Sequence, residues 1–123
     1  MAHLKIYEWE FQTYGEFRFV PLDRDTEGRK IIRKLSRHFN LMEPTLAQSR
    51  RRGGAGKYRP RMFGEGIIFT GKKTNLMTLC HEFAHHLEYH SDGHSPGRWH
   101  GKNFKRQLKR VYTWARRYIP KSL

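Results

Sequence analysis

The run His81-Glu82-Phe83-Ala84-His85 constrains this chain more than any other stretch. An α-helix turns about 100° per residue, so His81 and His85 fall on one face, one turn apart. Two imidazoles so placed can share one metal ion, and Glu82 beside the first can reach a water next to that ion. The spacing is the one used by zinc metallopeptidases. It predicts a helix over residues 76–89, capped by Thr74 or Asn75. Leu76, Leu79, Cys80, Phe83, Ala84 and Leu87 can face a core, while Thr78, His81, Glu82 and His85 share another side.

The remaining chain must supply the core and complete the site. At 123 residues it suits one domain with one modest core, spanning about residues 23–118. Aromatic residues make up 14%, which argues for a folded chain. No apolar run reaches membrane-spanning length, and Met1-Ala2-His3-Leu4-Lys5 lacks the layout of a signal peptide. The one cysteine, Cys80, excludes an internal disulfide and a four-cysteine zinc ribbon. A cytoplasmic or nuclear setting without membrane contact is the expectation. The net charge is +14, from 25 Lys and Arg against 11 Asp and Glu, which points to a polyanion partner, with DNA ahead of a membrane surface.

In chain order, residues 4–11 alternate Tyr7, Trp9 and Phe11 with Glu8 and Glu10, a period of two that predicts a strand, continued by Phe17 and Phe19. Asp25 or Thr26 would cap a helix whose apolar stripe is Ile31, Ile32, Leu35 and Phe39, ending at Asn40. Residues 48–60 form a basic, glycine-rich stretch expected as a surface loop, with Arg50, Arg51, Arg52 and Lys57 available to phosphates. Arg59, Arg61 and Phe63, then residues 66–70, read as two short strands joined near Gly64. The second leads directly into the motif helix. Ile67, Ile68 and Phe69 are therefore the expected sheet edge on which a substrate strand would pair. A last helix over residues 100–118 carries Phe104, Leu108, Val111, Tyr112 and Ala115 inward. Its basic residues include Lys105 and Lys109, further candidates for nucleic-acid contact. The fold class read from these elements is α+β, a small, mainly antiparallel sheet packed on the motif helix with flanking helices.

A catalytic zinc takes three protein ligands and keeps one position open. After Asp92 the chain holds no Asp or Glu, so no carboxylate beyond the helix can be the third ligand. The histidine candidates are His86, His90, His94 and His100. His86 lies on the wrong side of the helix, and His90 is about 140° from His85. His94 requires a sharp return. His100 is preferred, because fourteen residues separate it from His85 and allow a reversal into a packed helix.

The pair His81-Glu82-Phe83-Ala84-His85 and His100-Gly101-Lys102-Asn103-Phe104 resembles the SprT-like (Spartan-type) zinc metallopeptidases. The resemblance covers about residues 66–110. It implies a zincin-like fold, one Zn2+ per chain held by His81, His85 and His100, and Glu82 as catalytic acid/base. It also implies cleavage of protein or peptide substrates on DNA. Relatives often have Gly-Pro after the third histidine, where this chain has Gly101-Lys102, and many carry a C-terminal zinc ribbon. Tyr58, Tyr89, Arg98 and Tyr112 are the candidate oxyanion donors. The competing reading is a basic nucleic-acid-binding module with a structural or degenerate zinc site.

Overall fold

The computed structural model describes residues 2–51, 55–92 and 100–119. Among these, the chain is an α+β arrangement of four α-helices with two short sheets. Helix α1 is Ala2–Tyr14, followed by a 3₁₀ turn at Gly15–Phe19. Strand β1, Pro21–Asp23, leads through a π turn into α2, Arg29–His38. Strands β2 (Thr45–Gln48), β3 (Lys57–Arg59), β4 (Ile67–Thr70) and β5 (Lys73–Asn75) come next. Helices α3 (Leu76–Asp92) and α4 (Lys102–Ala115) complete the fold.

Residues 4–11 are helical, which corrects the strand expected from their alternation. Their inward positions are Ile6 (6% exposed) and Glu10 (1%), with Tyr14 half-buried, a spacing of four. Tyr7 and Phe11 stay 47% and 48% exposed. The alternating aromatics therefore mark no sheet face. A buried carboxylate on the inner stripe masks the helical period. Phe17 and Phe19 likewise lie in the 3₁₀ turn.

The α2 stripe is as expected, with Ile31, Ile32 and Leu35 buried, and Asn40 ends it in the left-handed region at φ 57°. The cap is different. Asp23 accepts hydrogen bonds from the amides of Asp25 and Thr26, so neither of those residues is the cap. Part of the expected 48–60 loop is sheet, since β2 reaches Gln48 and β3 begins at Lys57. Phe63 lies outside both strands, 78% exposed. Arg52, Gly53 and Gly54 lie outside the described residues.

Only the second sheet is mixed. β1 pairs antiparallel with β5, and the second sheet has the order β2-β4-β3, with β2 parallel and β3 antiparallel to β4. Ile67, Ile68 and Phe69 therefore occupy the central strand, which corrects their expected place at the edge. Their backbone groups are committed on both sides, and Ile68 is fully buried. The edge strand beside the motif helix is β3.

Asn75 caps α3 by accepting the Thr78 amide at 2.9 Å. Leu76, Leu79, Cys80, Phe83, Ala84 and Leu87 enter the core, and α4 packs across them with Phe104, Leu108, Val111, Tyr112 and Ala115. Tyr14 stacks on Tyr112 at 4.1 Å between ring centres, which ties α1 to α4.

The helical reading of α1 makes a simple stability prediction. Ile6→Ala should cost about 2–4 kcal/mol, and Phe11→Ala less than about 1 kcal/mol, in urea unfolding. A β arrangement would reverse the order.

Candidate metal centre

Helix α3 carries His81 and His85 with their ring centres 5.1 Å apart. His100 stands just before α4, its ring 5.2 Å from His81 and 5.0 Å from His85. One ligand nitrogen from each of the three lies within 4.8 Å of the others, so the trio could hold a metal ion. His81 and His85 are buried and His100 is half-buried. Phe104, one turn beyond His100, is fully buried and stacks on His85 at 4.2 Å. It also lies 5.0 Å from the rings of both His81 and His100, so this one aromatic floor seats all three imidazoles.

Glu10 completes the arrangement from the far end of the chain. His81 donates Nδ1–H to Glu10 Oε1 at 2.7 Å, and Tyr112 donates its hydroxyl to Glu10 Oε2. The bond selects the His81 tautomer and leaves Nε2 facing His100. Burial acts to lower the His81 pKa, but hydrogen bonding and charge from Glu10 outweigh it and raise the value above the ordinary one. The elimination of downstream carboxylates stands. The carboxylate that the structure brings to the histidines, Glu10, lies upstream and bonds His81. Sequence reasoning passed over it because α1 read as a strand with Glu10 on its polar side.

Glu82 lines the same cavity as the three histidines, a space of about 240 Å³ also walled by Tyr7, Arg51, Gly56, Lys57 and Tyr58. Burial pushes its carboxyl up to about 7, opposed by His81 and reinforced by Glu10. The start of β3 closes tightly against it, since a Cβ on Gly56 would meet Glu82 Oε2 at 2.8 Å. Tyr7 stacks on His81 at 5.2 Å and meets His100 edge-on at 5.1 Å. This residue too was missed with α1.

The remaining candidates have other positions. His86 donates Nε2–H to the Met42 carbonyl at 2.8 Å and accepts the Tyr58 hydroxyl at Nδ1, 2.7 Å away. It clips α3 to β3 and to the segment after α2. Burial drives its pKa down to about 4, so it is neutral. His90 bonds the Gly64 carbonyl. His94 and Arg98 lie outside the described residues. Tyr112 is fully buried on Glu10 and does not line the cavity, and neither does Tyr89. Arg51 and Lys57 wall the metal cavity, and with Arg50 they line a second cavity beside it. Lys105 and Lys109 instead flank Trp9, their ammonium groups 4.3 and 5.8 Å from its ring.

This combination brings together three histidines that could hold a metal ion, with a buried glutamate on the wall of the same cavity. The chain matches the SprT-like family over residues 29–122, and it belongs to that family. The family is metallopeptidase-like. Glu10 and Tyr7 lie before the matched segment. No curated protein and no solved structure matches the chain.

Glu10→Gln should weaken zinc binding about 10–100-fold in chelator competition while leaving the far-UV spectrum unchanged. His86 makes a pH prediction. Its folded pKa of about 4 lies below the reference 6.5, so its contribution to stability is complete above pH 6.5 and is lost as pH falls towards 4. The total is about 3 kcal/mol. His86→Leu should flatten that part of the stability–pH curve.

Proposed function

We propose that this chain is a zinc-dependent endopeptidase acting on proteins held on or near DNA. The observation that carries the reading is the convergence of His81, His85, His100 and Glu82 on one cavity. Two nitrogens about 2.0–2.1 Å from one tetrahedral zinc stand about 3.3–3.4 Å apart. His81 Nε2 and His100 Nε2 are 3.2 Å apart. Three imidazole ligands suit zinc and would leave a fourth position for water, as catalytic sites require.

Bound zinc would supply a Lewis acid that polarises the scissile carbonyl and acidifies water. The remaining work falls to the chain. Glu82 takes the proton of the attacking water and returns it to the leaving amine, a role suited to a carboxyl whose pKa lies near neutrality. Glu10 holds His81 in the tautomer that binds. Tyr7, on the cavity wall, is placed to donate to the developing oxyanion, whereas the Tyr58 hydroxyl is occupied by His86. The outer edge of β3 offers backbone groups to an extended substrate, in place of the central strand β4.

The net charge of +14, and Lys105 and Lys109 around Trp9, support a nucleic-acid partner. No helix among the described residues is long and apolar enough to cross a membrane. Our reading of the setting is cytoplasmic, with nucleoid or nuclear association as the alternatives. Among the described residues three histidines gather, whereas a purely structural zinc site is closed by four ligands, which supports the catalytic reading.

The deciding experiment is cleavage of a DNA-bound protein, with and without DNA. Glu82→Gln should retain about one zinc and lose activity about 10²–10⁴-fold. His100→Ala should lose the metal. Unchanged cleavage by Glu82→Gln would exclude the proposed mechanism.

A further inference from the structure

We propose that Lys57 and Arg59, with Arg50 and Arg51, form a subsite for an acidic side chain of the substrate, next to the metal cavity. This deepens the peptidase reading and rests on it. Lys57 and Arg59 are two residues apart on β3, so they project from one face of the sheet while Tyr58 turns inward and is buried. Their register partners on β4 are Phe69 and Ile67. The Arg59 guanidinium lies 5.9 Å from the centre of the Phe69 ring. With Ser49, Arg50 and Arg51, these residues line a cavity of about 260 Å³ that shares Arg51 and Lys57 with the metal cavity.

Among the described residues, no carboxylate lines this second cavity. The described ion pairs of arginine and lysine go to Arg24, Arg33, Arg61, Lys72 and Arg116, and none involves the four cations here. Four like charges around one recess with an aromatic wall repel one another, and a bound carboxylate relieves that repulsion. A peptide fits better than a nucleic acid because β3 is a sheet edge. A strand added there sets every second side chain on the face of Lys57 and Arg59, where opposite charge across the pair is favourable. Lys105 and Lys109 beside Trp9 combine cations with an aromatic ring on other elements and suit the nucleic acid.

The test uses the full chain, zinc-loaded, in the Glu82→Gln form so that binding is read without turnover. Fluorescent peptides differing only by Glu, Gln or Lys at one scanned position are titrated by anisotropy. At one position the Glu peptide should bind about tenfold tighter than the Gln peptide. Lys57→Glu with Arg59→Glu should reverse this ratio, and the milder Lys57→Gln with Arg59→Gln should level it. Lys105→Glu with Lys109→Glu should retain it and weaken binding of a DNA oligonucleotide. An unaltered ratio in both β3 variants overturns the subsite. So does loss of oligonucleotide binding in those variants with the peptide ratio intact, which would make the cavity a phosphate contact. Parallel assays of the wild-type chain separate the two readings. Efficient hydrolysis without acidic preference removes the subsite alone. Acidic preference in binding without hydrolysis of any peptide removes the peptidase reading alone.

Discussion

The structure depends on the burial of polar groups along one helix. α3 carries His81, Glu82, His85, His86 and Glu88, none more than 9% exposed, alongside an apolar stripe that is almost fully buried. Burying such groups costs several kcal/mol each unless they are partnered. The surrounding elements supply such partners to His81 and His86. α1 brings Glu10 to His81, β3 brings Tyr58 to His86, and the segment after α2 brings the Met42 carbonyl. The approach to α4 brings His100, and the helix itself brings Phe104 beneath the three rings.

This arrangement links folding to the site. The core under α3 and the cavity above it are two sides of the same helix. The contacts that orient His81 also tie α1 to α4, through Glu10 and Tyr112. Glu10, shared between His81 and the core tyrosine Tyr112, couples the cavity to the packing of α1 on α4. Glu82 stands apart, in that its wall is the close approach of Gly56 and the carboxyl is held by shape and burial. That burial is what pushes its pKa up to about 7.

The parts legible from sequence were those with local spacing. His81 and His85 are one helical turn apart, and an α-helix converts that interval into a shared face whatever surrounds it. The apolar stripes of α2, α3 and α4 were legible for the same reason. α1 was misread because its inner stripe, Ile6, Glu10 and Tyr14, includes a carboxylate, while Tyr7 and Phe11 outside it are aromatic. Composition by face then points the wrong way. The sheet edge was misread because strand order is a long-range property. Ile67 to Phe69 lie directly before the motif helix in sequence, yet β2 and β3 cover both of their sides.

The sequence alone determined that His81 and His85 share a helical face beside Glu82, since helical periodicity suffices to relate them, and it favoured His100 over His94 as the histidine that returns to them. Tertiary structure alone decided which distant groups serve that motif. Only packing could bring Glu10 across 71 residues to His81, place Tyr7 against its ring, and expose β3 as the edge. No local rule encodes these contacts. They follow from how α1 and the sheet settle on a helix whose buried polar groups require partners.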